Sequence, residues 1–191
     1  MPVSRVTPTS REVTFGAEEI IVSKTDLKGV ITYANDVFSR VSGYCPSELV
    51  GQPHNIIRHP DCPAGVFKLF WDTLKQGEEI FAFIKNITKD GSYFWVLAHV
   101  SPVQDRHGTV VGYHSSRRSP SKAALREVER LYERMRAEEK RHSRSTDAAA
   151  ASLGVLEQAL CEAGLTYDEF VWDLISRTAE NGKVNAHARV A

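Results

Sequence analysis

The chain has 191 residues, with 24 Lys+Arg against 24 Asp+Glu, a formal net charge of zero, 42% hydrophobic residues and 25% charged ones. This composition excludes a disordered or fibrous chain, and neutrality argues against broad nucleic-acid binding, which needs a basic field. No stretch approaches the roughly 20 apolar residues of a membrane span. Residues 1–11 lack the apolar centre of a signal peptide, and Cys45, Cys62 and Cys161 show no CxxC spacing, which fits a reducing cytoplasm better than a disulfide framework.

From Thr14 to Arg117 short apolar runs alternate with Gly, Asp, Asn and Pro. Ile20–Lys24 and Val30–Tyr33 are β-branched runs around Asp26-Leu27-Lys28-Gly29, a hairpin signature with Gly29 at positive φ. The period then changes. Val37, Phe38 and Val41 share one helix face that ends at Gly43, a short helix follows Pro46, and Cys62-Pro63-Ala64 opens a helix bearing Val66, Phe67, Phe70, Trp71 and Leu74. Three strands follow at Ile80–Thr88, Tyr93–Val103 and Thr109–Arg117, joined by Lys89-Asp90-Gly91 and Asp105–Gly108 turns. In the second of these strands Phe94, Val96, Ala98 and Val100 form the apolar, inward face, and the small Ala98 leaves room for a flat ring.

Beyond Ser119 the pattern is helical. Leu125, Val128, Tyr132 and Met135 make a two-heptad seam, in a stretch that holds ten Lys/Arg and five Glu between Arg117 and Arg144. This charge is read as a solvated helix face rather than a nucleic-acid surface. His142–Asp147 is expected to be a loose linker. Ala148–Ala163 presents Leu153, Leu156 and Leu160, and Thr166-Tyr-Asp-Glu169 is a capping box before Phe170, Leu174 and Ile175. The expected organisation is an N-terminal extension (1–14), a sensor domain (15–118), a basic helical linker (119–145), a C-terminal helical segment (146–178) and a frayed tail (179–191).

The order of two strands, several short helices and three strands resembles the PAS sensor domain. That resemblance implies an α+β fold with a five-stranded antiparallel sheet and short helices on one face, followed here by C-terminal helices. Val41-Ser-Gly-Tyr44, Glu48-Leu-Val-Gly51 and Pro53-His-Asn-Ile-Ile-Arg-His-Pro-Asp-Cys-Pro63 are narrower. They resemble the flavin-binding PAS domain of bacterial aerotaxis receptors over residues ~15–120, the whole of the expected domain.

The resemblance implies a flavin, with FAD ahead of FMN, and a redox or oxygen sensor rather than a turnover enzyme. Arg58 suits phosphates or a ring carbonyl, His59 is a donor, and Asp61 accepts from a sugar hydroxyl or holds Arg58. Asn35 and Asn86 carry amides that match the edge of the ring, with an N-cap as the rival role for Asn35. Trp71 is placed against the flavin or adenine, and His114 at the ring from the last strand. Two other readings stay open: a cofactor-free PAS dimerisation module, and a haem gas sensor using His54, His59 or His114. Cys62 lies near the adduct cysteine of blue-light LOV domains, but the Asn-Cys-Arg-Phe motif around it is absent. The partners expected are a second copy of the chain, through the C-terminal helices, and a chemoreceptor, histidine kinase or other signalling protein in the cytoplasm.

Overall fold

The computed structural model describes residues 6–176, and the chain separates into two units. The first takes in residues up to Cys62 together with Leu69–Ser119; the second takes in Pro63–Lys68 and residues from Pro120 onward.

The first unit is a five-stranded antiparallel sheet of order β2-β1-β5-β4-β3. The strands are β1 (Ile21–Thr25), β2 (Ile31–Ala34), β3 (Ile80–Ile87), β4 (Tyr93–Gln104) and β5 (Val110–Arg118). The β1–β2 hairpin turns as its sequence dictates, with Asp26 Oδ1 accepting from the amides of Lys28 and Val30 and Gly29 at φ 77°. Asn35 caps α1 (Asp36–Ser42), and Gly43 closes it in the left-handed region. After α2 (Pro46–Leu49), residues 51–58 run from one edge of the sheet to the other. At the β2 edge Gly51 N–H donates to Ile31 O and His54 N–H to Gly29 O. At the other edge Arg58 bridges Asn86 on β3. Each outer strand thereby gains a local partner, at Ile31 and Gly29 on one side and at Asn86 on the other. Residues 9–13 bond alongside Gly91 and Tyr93, so part of the N-terminal extension is tied to the β3–β4 turn.

Register fixes which side chains share a face. Asn86 lies opposite Phe94, Ile84 opposite Val96, Ala82 opposite Ala98, and Ile80 opposite Val100. On β5, Arg117 is beside Ala98, Ser115 beside Val100 and Tyr113 beside Pro102. Because side chains alternate along a strand, all of these point to one side, the side on which Phe38, His54 and Trp71 meet Arg117 and Tyr113. The predicted inward face of β4 is the one buried there. The opposite face also buries Phe83 and Trp95.

The second unit is helical. Ser121 caps α4 (Lys122–Glu139), whose Ala124, Leu125, Val128, Leu131, Tyr132 and Met135 are buried. The loop after it is short, because α5 (Ser145–Ala163) begins before Ala148 with Asp147 in its first turn, where the helix dipole favours a carboxylate. Of the linker expected over His142–Asp147, only residues 142–144 lie outside a helix, and Ser145–Asp147 open α5. The capping box at Thr166 and Glu169 forms and starts α6 (167–176), which buries Val171 and the predicted Leu174, while the predicted Phe170 and Ile175 are half-buried. At the opening of α3 (Ala64–Lys75), Ala64 N–H donates to Glu139 at 2.6 Å, and Gly65 lies against the Ser152–Leu153 backbone of α5. The Leu125–Met135 stripe is thus buried within one chain. The predicted tail, 179–191, lies outside the described residues.

Candidate functional site

The helix-covered face of the sheet has a flat, small centre. Ala82 and Ala98 are directly paired and 0% and 2% exposed, and Arg117 is the next residue in the same row. Polar groups ring this platform. Asn86 stands towards one end, and Ser115 and Ser23 pair in the neighbouring row on β5 and β1. Asn86 Nδ2, Ser115 Oγ and Arg117 Nη1 are all buried and have no protein partner. Buried polar groups are nearly always hydrogen-bonded, to protein, water or ligand, and three that lack a protein partner share this face.

Arg117 is held firmly on its other side. Its Nη2 donates to Ser23 Oγ and to His54 Nε2, each at 2.7 Å, and its guanidinium lies 5.3 Å from the Phe38 ring centroid. His54 in turn stacks on Phe38 with ring centroids 5.8 Å apart. Burial, reinforced by the Arg117 charge, lowers the His54 pKa to about 3, so the imidazole is neutral and can accept. Burial lowers Arg117 to about 10, which leaves it cationic at neutral pH. The sequence reading missed Arg117 as a site residue and counted it with the basic run of the linker. It also missed Ser23, Ser115 and Ala82.

The predicted site residues divide into groups. Asn86 is on the platform face. Trp71 is too, at the far end, where its ring packs edge-on to Tyr113 at 5.6 Å and lies over Gly29; a Cβ at Gly29 would sit 3.3 Å from the indole. Arg58 reaches Asn86 through its backbone bridge while its side chain is exposed. His59 is 2% exposed and lies edge-on to Tyr93, and its Nδ1 accepts from the Asp61 amide at 3.0 Å, which leaves the proton on Nε2. Asp61 pairs with Lys85 at 3.0 Å, whose Nζ stands 4.4 Å from the Tyr93 ring centroid. Lys85 and Tyr93 belong to the other face of the sheet, so His59 and Asp61 gather at the β3 edge rather than with Arg117.

Asn35 is consumed structurally. Its Oδ1 accepts from the Val22 and Phe38 amides, and its Nδ2 donates to Ile20 O. The rival N-cap role accounts for it. His114 is opposite Ser101 and Lys24, on the face away from Arg117, and the structure does not bring it to the platform. The reason is parity: Tyr113 and Ser115 point inward, so His114 cannot. Burial and nearby Lys24, His99 and Arg117 hold its pKa below the usual value.

Residues 31–117 match the family described as PAS fold. The domain is a PAS domain. Over 129 residues the chain is 41% identical to the aerotaxis receptor of Escherichia coli, an alignment that covers 68% of this chain and 25% of the receptor. The bacterioopsin transcriptional activator of Halobacterium salinarum is 33% identical over 93 residues, covering 49% of this chain and 14% of that protein. The chain therefore spans a quarter or less of these relatives' lengths. Among solved structures, a light-oxygen-voltage domain studied with a flavin analogue superposes with TM-score 0.52 at 24% identity, over 60% of this chain and 86% of that one. The dark-state Aureochrome1 LOV domain does so with TM-score 0.52 at 20% identity, over 61% and 84%. Among the described residues no helix is long and apolar enough to cross a membrane.

Proposed function

We propose that the platform face binds a flavin, and that the chain is a redox or oxygen sensor which signals through protein–protein contacts. The observation that carries this reading is the ring of unpartnered buried groups, Asn86 Nδ2, Ser115 Oγ and Arg117 Nη1, around the paired Ala82 and Ala98. A flat heteroaromatic ring with carbonyls and ring nitrogens at its edges meets both needs: it packs on small residues and supplies acceptors to fixed donors. The 41% identity over 129 residues to an aerotaxis receptor supports the same reading.

FAD is favoured over FMN. Asn86 and Trp71 stand at opposite ends of the face, by the Phe94 and Pro102 rows of β4. At about 3.3 Å per residue, some 26 Å of strand separate those rows, more than one ring system can touch and suited to a dinucleotide. The flavin supplies the redox chemistry. The chain's own residues bind it, fix its orientation and screen it from water, with residues 51–58 as the cover. A change in the charge and hydrogen bonding of the bound ring would bias whichever groups hold it, and so the surfaces they support.

The test is the absorbance spectrum of the purified protein, followed by heat release and chromatography of whatever colours it. Paired flavin bands and an FAD peak are expected. A folded, colourless protein that takes up no added flavin would favour the cofactor-free PAS module, and a Soret band would favour haem.

A further inference from the structure

Resting on the flavin reading, we infer that Arg117 is the charge-selecting residue of the site: it meets the pyrimidine edge of the ring and favours the reduced, anionic flavin over the oxidised, neutral one. Arg117 is 5% exposed, and no carboxylate pairs with it among the described residues. Both hydrogens on Nη2 are spent on neutral acceptors, Ser23 and His54, which position the guanidinium without compensating it. Nη1 is left with nothing to donate to. A buried cation with no counter-charge is costly, and the natural remedy is an anion delivered by the ligand.

The position of Arg117 says which part of the ligand that is. It shares a row with Ala82 and Ala98, so it borders the platform on which the ring lies rather than an exposed rim. Two-electron reduction with uptake of one proton at N5 leaves a negative charge on the N1–C2=O edge of a flavin. A cation fixed there stabilises that form more than the neutral oxidised ring, and so raises the reduction potential. His54 and Ser23 are positioning residues for this contact.

The experiment compares the midpoint potential of the flavin-loaded full-length protein with those of R117M and R117K, using dithionite as the electron donor and a redox dye as reference. R117M is expected to lose its preference for reduced over oxidised flavin at least tenfold, a fall of about 30 mV for a two-electron couple. R117K, which keeps the charge, is expected to fall less. Riboflavin, which has no phosphate, is loaded as a second ligand and should show the same loss. An unchanged midpoint in R117M overturns the inference while leaving the flavin reading intact. So does a loss seen with FMN and FAD but not riboflavin, which would put Arg117 on a phosphate. A wild-type protein that takes up no flavin overturns both. If R117M does not fold, R117Q, neutral but able to hydrogen-bond, carries the same comparison.

Discussion

The guanidinium of Arg117 stands 2.7 Å from the Nε2 of His54, a cation donating to an imidazole that burial keeps neutral. Folded, His54 charges only near pH 3, whereas its ordinary value is 6.5. Below pH 6.5 the unfolded chain therefore binds a proton that the folded one refuses. The stability this group contributes is fully present above 6.5 and drains away as pH falls towards 3.

H54Q should accordingly flatten the acid limb of the stability profile. Wild type is expected to lose about 1.4 kcal/mol per pH unit more than H54Q between pH 6 and 4. Urea midpoints at pH 7, 5.5 and 4.5 check this. Asp90, lowered to about 2 by its bonds to Thr88 and Ser92, titrates below that window. His114 is depressed in the same direction as His54, so the difference between wild type and H54Q, not the wild-type slope alone, isolates His54.

Asn86→Leu separates structural from ligand-binding roles. Its Nδ2 is buried with no partner, so removing the amide should raise apo-protein stability by about 1 kcal/mol. Flavin binding should weaken, or the visible spectrum shift, in the same variant. Thermal melts of apo-protein and spectra of loaded protein read the two effects separately.

Gly65→Ala tests the packing of the helical unit. A Cβ there would stand 2.5 Å from Leu153 N and 2.8 Å from the Ser152 carbonyl carbon, both backbone atoms that cannot swing aside. A loss of about 1–3 kcal/mol is expected from overpacking. Denaturant unfolding followed by circular dichroism measures it, with Gly154→Ala, which meets nothing within 4 Å, as the control.

Much of the fold is legible in the sequence because local signals agree. The Asp26–Gly29 turn, the Asn35 cap, the Gly43 stop and the alternation from Phe94 to Val100 each name their own element. The site is legible only in part. On β5 both faces carry polar residues, Tyr113, Ser115 and Arg117 on one and His114, Ser116 and Arg118 on the other, so hydropathy cannot choose between them. Pairing with β4 decides it, and that pairing is a long-range fact. Arg117 also reads as the first of a basic run, although its side chain points back into the sheet's covered face. Ala82 becomes informative only once it is seen opposite Ala98. The Leu125–Met135 stripe shows the reverse limit, since a seam's spacing says that it must be covered but not by which chain.

Filling the face that bears Ala82 and Ala98 tests whether it seats the flavin. Apo-protein is titrated into FAD while the quenching of flavin fluorescence is followed, for wild type and for Ala98→Leu, with circular dichroism melts confirming that both are folded. Wild type should saturate, and Ala98→Leu should bind at least tenfold more weakly, because its larger side chain projects from the face on which the ring is proposed to lie. Equal affinity in the two folded proteins, or no change in flavin fluorescence or absorbance on adding wild type, would contradict flavin binding at this face.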